Sequence, residues 1–415
     1  MNTFTVIFLS VVLLSFAVEF WLAKRQASYV AAHRGAVPEA FKTAVSLKAH
    51  QKAADYTLAK GKLGDIDRIV SVAALLVLTL GGVINTVFQY WNGWVSSPLW
   101  AGVWATATVF LIMTLVEIPA SVYQTFVIEE QFGFNKTTVR QFIKDQAMQL
   151  ALGAAIGLPL LALILWVMDS IGASWWVWAW AILISFSLLM SWLFPTVIAP
   201  LFNKFTPMEE GSLKDRIQDL LSRCGFNSQG IFIMDGSKRS GHGNAYFTGL
   251  GNNKRIVFFD NLVNSLDEEE LEAVLAHELG HFKRKHVIKM LVATSVMSLI
   301  GFGVLGWIID QDWFYTGLGV AVEQKSNAAA LLLFMLASST FTFFMQPVSA
   351  YFQRKFEFEA DDFAASNAKA EKMISGLVKL YEENASTLTP DPLYSAFHYS
   401  HPPAAIRIAH LQAKA

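Results

Sequence analysis

The residues most able to do chemistry are His277-Glu278-Leu279-Gly280-His281. On an α-helix, residues four apart sit about 40° apart around the axis. Both imidazoles can then reach one tetrahedral Zn²⁺ while Glu278 is offset toward its open position. Zinc lowers the pKa of its water to about 7. A neighbouring carboxylate can take the proton as that water attacks a peptide carbonyl. A catalytic zinc site needs three protein ligands. The metzincin extension fails, because it asks for Gly three residues after His281 and His six after, and finds Arg284 and Val287. The other common solution is a Glu on a second helix. Residues 351–365 read YFQRKFEFEADDFAA and offer Glu357 and, four residues on, Asp361. That spacing puts both carboxylates on one face. The expected set is therefore His277, His281 and Glu357 around one Zn²⁺ per chain, with Asp361 orienting a ligand imidazole. Glu359 and Asp362 are the rival acids. His286 lies about 140° round a continuous helix from His281, so it is expected at the membrane interface rather than on the metal.

These side chains need elements to hold them. The first His and Glu fall on a helix beginning near Asp267, with Ser265 or Asp267 as N-cap and Glu268, Glu269 and Glu270 in the first turn, where the dipole favours acids. Before it, residues 213–223 have helical apolar spacing. Residues 231–234 and 256–259 read as strands, and 244–248 as a third, joined to the last by the turn-like Gly249-Leu250-Gly251-Asn252-Asn253.

The rest of the chain is too apolar for water. Of 415 residues, 54% are hydrophobic and only 16% charged, against about 25% charged in soluble proteins; mean hydropathy is +0.40. A single cysteine, Cys224, excludes an internal disulfide, and a net charge of −1 excludes a basic field for nucleic acid. Spans of about 20 apolar residues occur at 2–23, 69–90, 100–123, 148–168, 175–201, 287–309 and 328–350. The first has its positive charges, Lys24 and Arg25, after the apolar run, so it reads as a retained span. Basic residues crowd 24–68 and 124–146, whereas 91–99 and 169–174 carry none. The positive-inside rule then puts the N-terminus outside and the C-terminus in the cytosol. Glu117, deep in the third span, is costly in lipid. It either lines a wet chamber or is buried with a hydrogen-bond partner.

HELGH, then FEFEAD, then His398-Tyr399-Ser400-His401-Pro402-Pro403 with Arg407 resemble the type I CAAX prenyl proteases. Phe126-Val127-Ile128-Glu129-Glu130 with Gly133-Phe134-Asn135, Ser237-Lys238-Arg239-Ser240 and Asn244-Ala245-Tyr246-Phe247 extend the likeness over most of the chain. The resemblance implies a mainly α, polytopic membrane protein of seven transmembrane helices enclosing a chamber. It also implies a cytosolic gluzincin-like zinc metalloprotease domain containing a small β-sheet. Residues 1–205 would form the membrane domain with five spans, and 206–415 the peptidase, interrupted by spans six and seven. The resemblance further implies cleavage after a prenylated cysteine, and an edge strand at Asn244 and Ala245 that pairs with substrate backbone. It puts His401 and Arg407 near the zinc, where they could stabilise the oxyanion. A salt bridge to Asp361 is an equally good account of Arg407.

The expected function is thus a zinc endopeptidase acting on prenylated or otherwise membrane-anchored protein substrates in a lipid bilayer. A membrane-protein quality-control protease with the same metal chemistry is the alternative. From a different class, a seven-span transporter or receptor with a structural zinc would have no use for Glu278. The last residues carry no ER retrieval signal, so a bacterial inner membrane is expected, with the ER as alternative.

Overall fold

The computed structural model describes residues 2–226, 228–248 and 254–414. α1 (Thr3–His33) starts at Asn2, whose side chain accepts from the Thr5 N–H. α2 (Leu47–Leu78) and α3 (Val83–Trp94) meet at a 48° bend. Gly82 makes the break with φ of 79°, a left-handed conformation that costs glycine little. α4 (Pro98–Tyr123) runs on through a π-helical turn to Glu129. α5 (Val139–Ser170), α6 (Trp175–Leu193) and the short α7 (Ala199–Phe202) follow.

The second half begins with β1 (Phe205–Pro207), α8 (Ser212–Arg223), β2 (Ile231–Met234), β3 (Ala245–Thr248) and β4 (Arg255–Phe259). The sheet order is β1-β2-β4-β3; β2 and β4 are parallel and the outer pairs antiparallel. Three strands were expected. β1, three residues long and ending in Pro207, carries too little pattern to be read from sequence. The expected turn at 249–253 lies outside the described residues. α9 (Asp260–Ser265) leads into α10 (Glu268–Lys283), α11 (His286–Ile308) and α12 (Asp312–Gly317). α13 (Asn327–Thr342), α14 (Gln346–Asn367), α15 (Ala370–Glu383), α16 (Pro392–His398) and α17 (Ala404–Gln412) complete the chain.

Among the described residues, six helices are long and apolar enough to cross a membrane, or seven when the bent α2–α3 pair counts as one. Each expected span falls on one of these. The difference is in the second, which is broken, and in length: α1 and α2 continue as helix through most of the basic stretch that follows Lys24. Leu13, Leu14, Trp166, Val292 and Ile300 are exposed on the outer helix faces, where only lipid can solvate them. Inward, Val103, Val109, Leu332 and Leu333 are fully buried. Between α4, α5, α6, α11 and α13 lies a cavity of about 1080 Å³, with Glu117 and Gln149 on an otherwise largely apolar wall. Of the two readings of Glu117, the structure has the chamber wall.

Candidate active site

α10 starts from a closed capping box. Asp267 accepts from the N–H groups of Glu269 and Glu270, and the Glu270 side chain accepts from the Asp267 N–H. Such a cap is worth about 1 kcal/mol. Asp267, not Ser265, is thus the N-cap. One face of α10 buries Leu271, Leu275 and Leu279 in the core under the sheet. That turns His277 and His281 toward α14. The two helices approach closely because of Gly280, where a Cβ would lie 2.8 Å from the Ala360 Cα.

The approach brings Glu357 to the two histidines. Nε2 of His277 and Nε2 of His281 are 3.2 Å apart. Glu357 Oε1 is 3.2 Å from the second and Oε2 is 3.5 Å from the first. All three ligand atoms lie within 4.8 Å of one another. Glu357 Oε2 is buried with no hydrogen-bond partner among the described residues, an arrangement that costs a neutral group about 1–3 kcal/mol and a charged one more. A divalent cation among these donors would satisfy it, and an imidazole–carboxylate set suits zinc. The surroundings also favour positive charge. Burial and the Arg407 charge oppose protonation of His277, yet the neighbouring carboxylates of Asp361 and Glu357 prevail and raise its pKa to about 9.

Asp361 is fully buried and accepts from His277 Nδ1 at 2.8 Å. That bond fixes the tautomer that leaves Nε2 free to ligate. Arg407 forks onto the same carboxylate, Nε to Oδ2 at 2.9 Å and Nη2 to Oδ1 at 2.6 Å. Its Nη1 reaches to 3.4 Å from Glu357 Oε2. The salt-bridge account of Arg407 is therefore present in the geometry. His401 puts Nε2 3.5 Å from Glu357 Oε1, with its ring exposed. Glu278 makes no hydrogen bond or ion pair with any described residue. Burial pushes its carboxyl pKa up, against the pull of His277 and His281.

Around these donors lies a ring of supporting residues. His286, the first residue of the α11 span, is buried: its Nδ1 lies 3.0 Å from His281 Nδ1, and its Nε2 3.0 Å from Glu359 Oε2. A continuous helix would carry His286 away from His281. The chain instead breaks at Lys285, with φ of 57°, and folds His286 back. Glu359 is thereby the partner of a histidine that supports His281, and Asp362 pairs with His410 and Lys414. The segment carrying His401 is held by Arg354, which donates to the Tyr399 carbonyl at 2.8 Å. Gln26 of α1 also holds it, accepting from the Asp391 N–H at 2.7 Å and donating to the Tyr399 hydroxyl at 3.3 Å. No local signal could have found a partnership across 365 residues.

Asn244 and Ala245 lie at the start of β3, one of the two edge strands. The Asn244 carbonyl accepts from the Phe259 N–H at 2.9 Å. Antiparallel alternation then leaves Ala245 and Phe247 with their N–H and C=O groups on the free side. The Ala245 N–H is met there by Asn244 Oδ1 at 2.8 Å.

Known proteins share this chain's sequence pattern and fold. Residues 26–204 match the family described as CAAX prenyl protease N-terminal, five membrane helices, and residues 207–415 match peptidase family M48. The CAAX prenyl protease 1 homolog of Dictyostelium discoideum is 35% identical over 97% of this chain and 95% of its own. CAAX prenyl protease 1 of Saccharomyces cerevisiae is 34% identical over 95% and 92%. The crystal structure of S. mikatae Ste24p superposes with a TM-score of 0.91, covering 99% of both chains at 32% identity. The chain therefore belongs to the M48 peptidases of the CAAX prenyl protease family and is a multi-pass membrane metalloendopeptidase.

Proposed function

We propose that the chain is a zinc endopeptidase that cuts near the C-terminus of prenylated CaaX-type or other membrane-associated proteins. The observation that carries this reading is the convergence of His277, His281 and Glu357 beside Glu278, a half-buried carboxyl with no hydrogen-bond or ion-pair partner among the described residues. A structural metal site would not need such a base. Zinc held by the three donors supplies a Lewis acid that brings the pKa of water to about 7 and polarises a carbonyl. Glu278 takes the proton of the attacking water and returns it to the leaving amine, a role suited to a carboxyl whose proton affinity burial has raised. Asp361 holds His277 in its ligating tautomer. Arg407 and His401, both beside Glu357, offer a cation and an N–H to the oxyanion. The free edge of β3 at Asn244 and Ala245 takes extended substrate backbone, which gives affinity without reading side chains.

The lipid-anchored part of a substrate would reach this site from the bilayer through the cavity between the spans. The loop charges support an N-terminus outside and a C-terminus in the cytosol. The test is cleavage by purified protein of a farnesylated CaaX peptide beside its unfarnesylated twin. The farnesylated peptide should be cut at least about tenfold faster, and a zinc chelator should stop both. Equal rates would favour a broader quality-control protease.

A further inference from the structure

Two sequence segments take no part in the chemistry above: residues 126–135 and 237–242. The structure joins them. Asn135 and Ser240 form an antiparallel bridge, the Lys136 N–H donates to the Arg239 carbonyl at 3.2 Å, and the Gly241 N–H donates to the Phe134 carbonyl at 2.9 Å. Arg239 forks onto Asp145 of α5, Nε to Oδ2 at 2.7 Å and Nη2 to Oδ1 at 2.9 Å. The segment that leads into β3 is thus tied to the membrane helices.

His242 sits at the centre of the join. Its ring stacks on Phe134 at 4.3 Å between centroids. Nε2 faces the Glu129 carboxylate and the Tyr56 hydroxyl, each at 3.4 Å, and Nδ1 faces Asn384 Oδ1 at 3.3 Å. Glu129 is itself held by Tyr56 and Gln124, each donating at 2.6 Å. Asn384, just past the end of α15, grips the next residue from both sides. Its Oδ1 accepts from the Gly243 N–H at 3.1 Å and its Nδ2 donates to the Gly243 carbonyl at 3.3 Å. An amide that satisfies both backbone groups of one residue replaces the neighbouring strand that Gly243 lacks. The following residue, Asn244, makes the first rung to β4.

We propose that Glu129, His242 and Asn384 are positioning residues that set the free edge of β3 for the substrate backbone. An edge strand held on one side only is free to slip or fray. The grip on His242 and Gly243 fixes where the ladder starts, and so which N–H and C=O groups Ala245 and Phe247 present. Spans two and three hold that grip through Tyr56, Gln124 and Glu129. This rests on the reading that β3 pairs with substrate.

The experiment compares His242→Phe, which keeps the ring stack, Asn384→Leu and Asn384→Asp with the parent, using the farnesylated CaaX peptide. KM, kcat and bound zinc are measured for each. His242→Phe and Asn384→Leu should raise KM about tenfold, with kcat within about twofold and zinc content unchanged. Asn384→Asp keeps the acceptor for the Gly243 N–H and should recover part of the loss. An unchanged KM, a loss confined to kcat, or a loss of zinc in both variants would overturn the assignment. Ala245→Pro removes the outer-edge N–H that Asn244 Oδ1 accepts here, without touching the ladder to β4, and separates the two ideas. If it leaves KM unchanged, the edge reading itself fails; if it raises KM while the other variants do not, only the grip fails.

Discussion

Glu357 is buried and Glu278 half-buried within one small volume, and their company separates their roles. Glu357 faces two imidazoles and a guanidinium, the setting of an anion that holds a cation. Glu278 has no such partner and a raised proton affinity, the setting of a group that exchanges a proton. Glu278→Gln should therefore lower kcat at least about 100-fold while zinc content stays at one per chain. Glu357→Gln should lose the zinc, and metal analysis of the two purified proteins distinguishes them. Equal zinc and equal residual activity in both would remove the distinction. At this scale the sequence was legible for His277, Glu278, His281, Glu357 and Asp361, because four-residue spacing on a helix nearly dictates a shared face. It was not legible for His286, whose position depends on one left-handed residue, Lys285.

Two helices that must meet at short range set the geometry of those residues. α10 and α14 each carry half of the site, and Gly280 is the point of closest approach, with Ala360 opposite. A methyl at position 280 has no room, and overpacking of this kind costs about 1–3 kcal/mol. Gly280→Ala should push the helices apart, lower the midpoint of thermal unfolding and weaken zinc retention about tenfold or more in a chelator titration. Retention equal to the parent's would show that close packing is not what assembles the donors. α1 contributes at the same scale: Gln26 and Arg25 hold Asp391, and through α16 the segment that ends at His401. The first span thereby braces the last part of the site.

Across the whole molecule, the membrane helices do more than anchor a peptidase. They surround a cavity whose polar residues, among them Glu117, Gln146 and Gln149, line the α4 and α5 side. Gly157 of α5 lines this space and has nothing within 4 Å of where a Cβ would stand. Gly157→Trp should fit without strain on its neighbours and fill part of the cavity. Cleavage of a farnesylated protein substrate should fall several-fold with zinc content unchanged, whereas an unobstructed rate would mean that substrate does not use the cavity. Local pattern by itself determined the class of molecule, the placing of its spans and the candidate metal donors, because hydropathy, loop charge and helical spacing are properties of neighbours in the chain. The bend at Gly82, the short strand β1, the partnership of Gln26 with Asp391 and the grip of Glu129, His242 and Asn384 on the edge strand were decided only by the tertiary structure. Each joins segments far apart in sequence or turns on a single backbone angle, and neither leaves a periodic trace in the residues themselves.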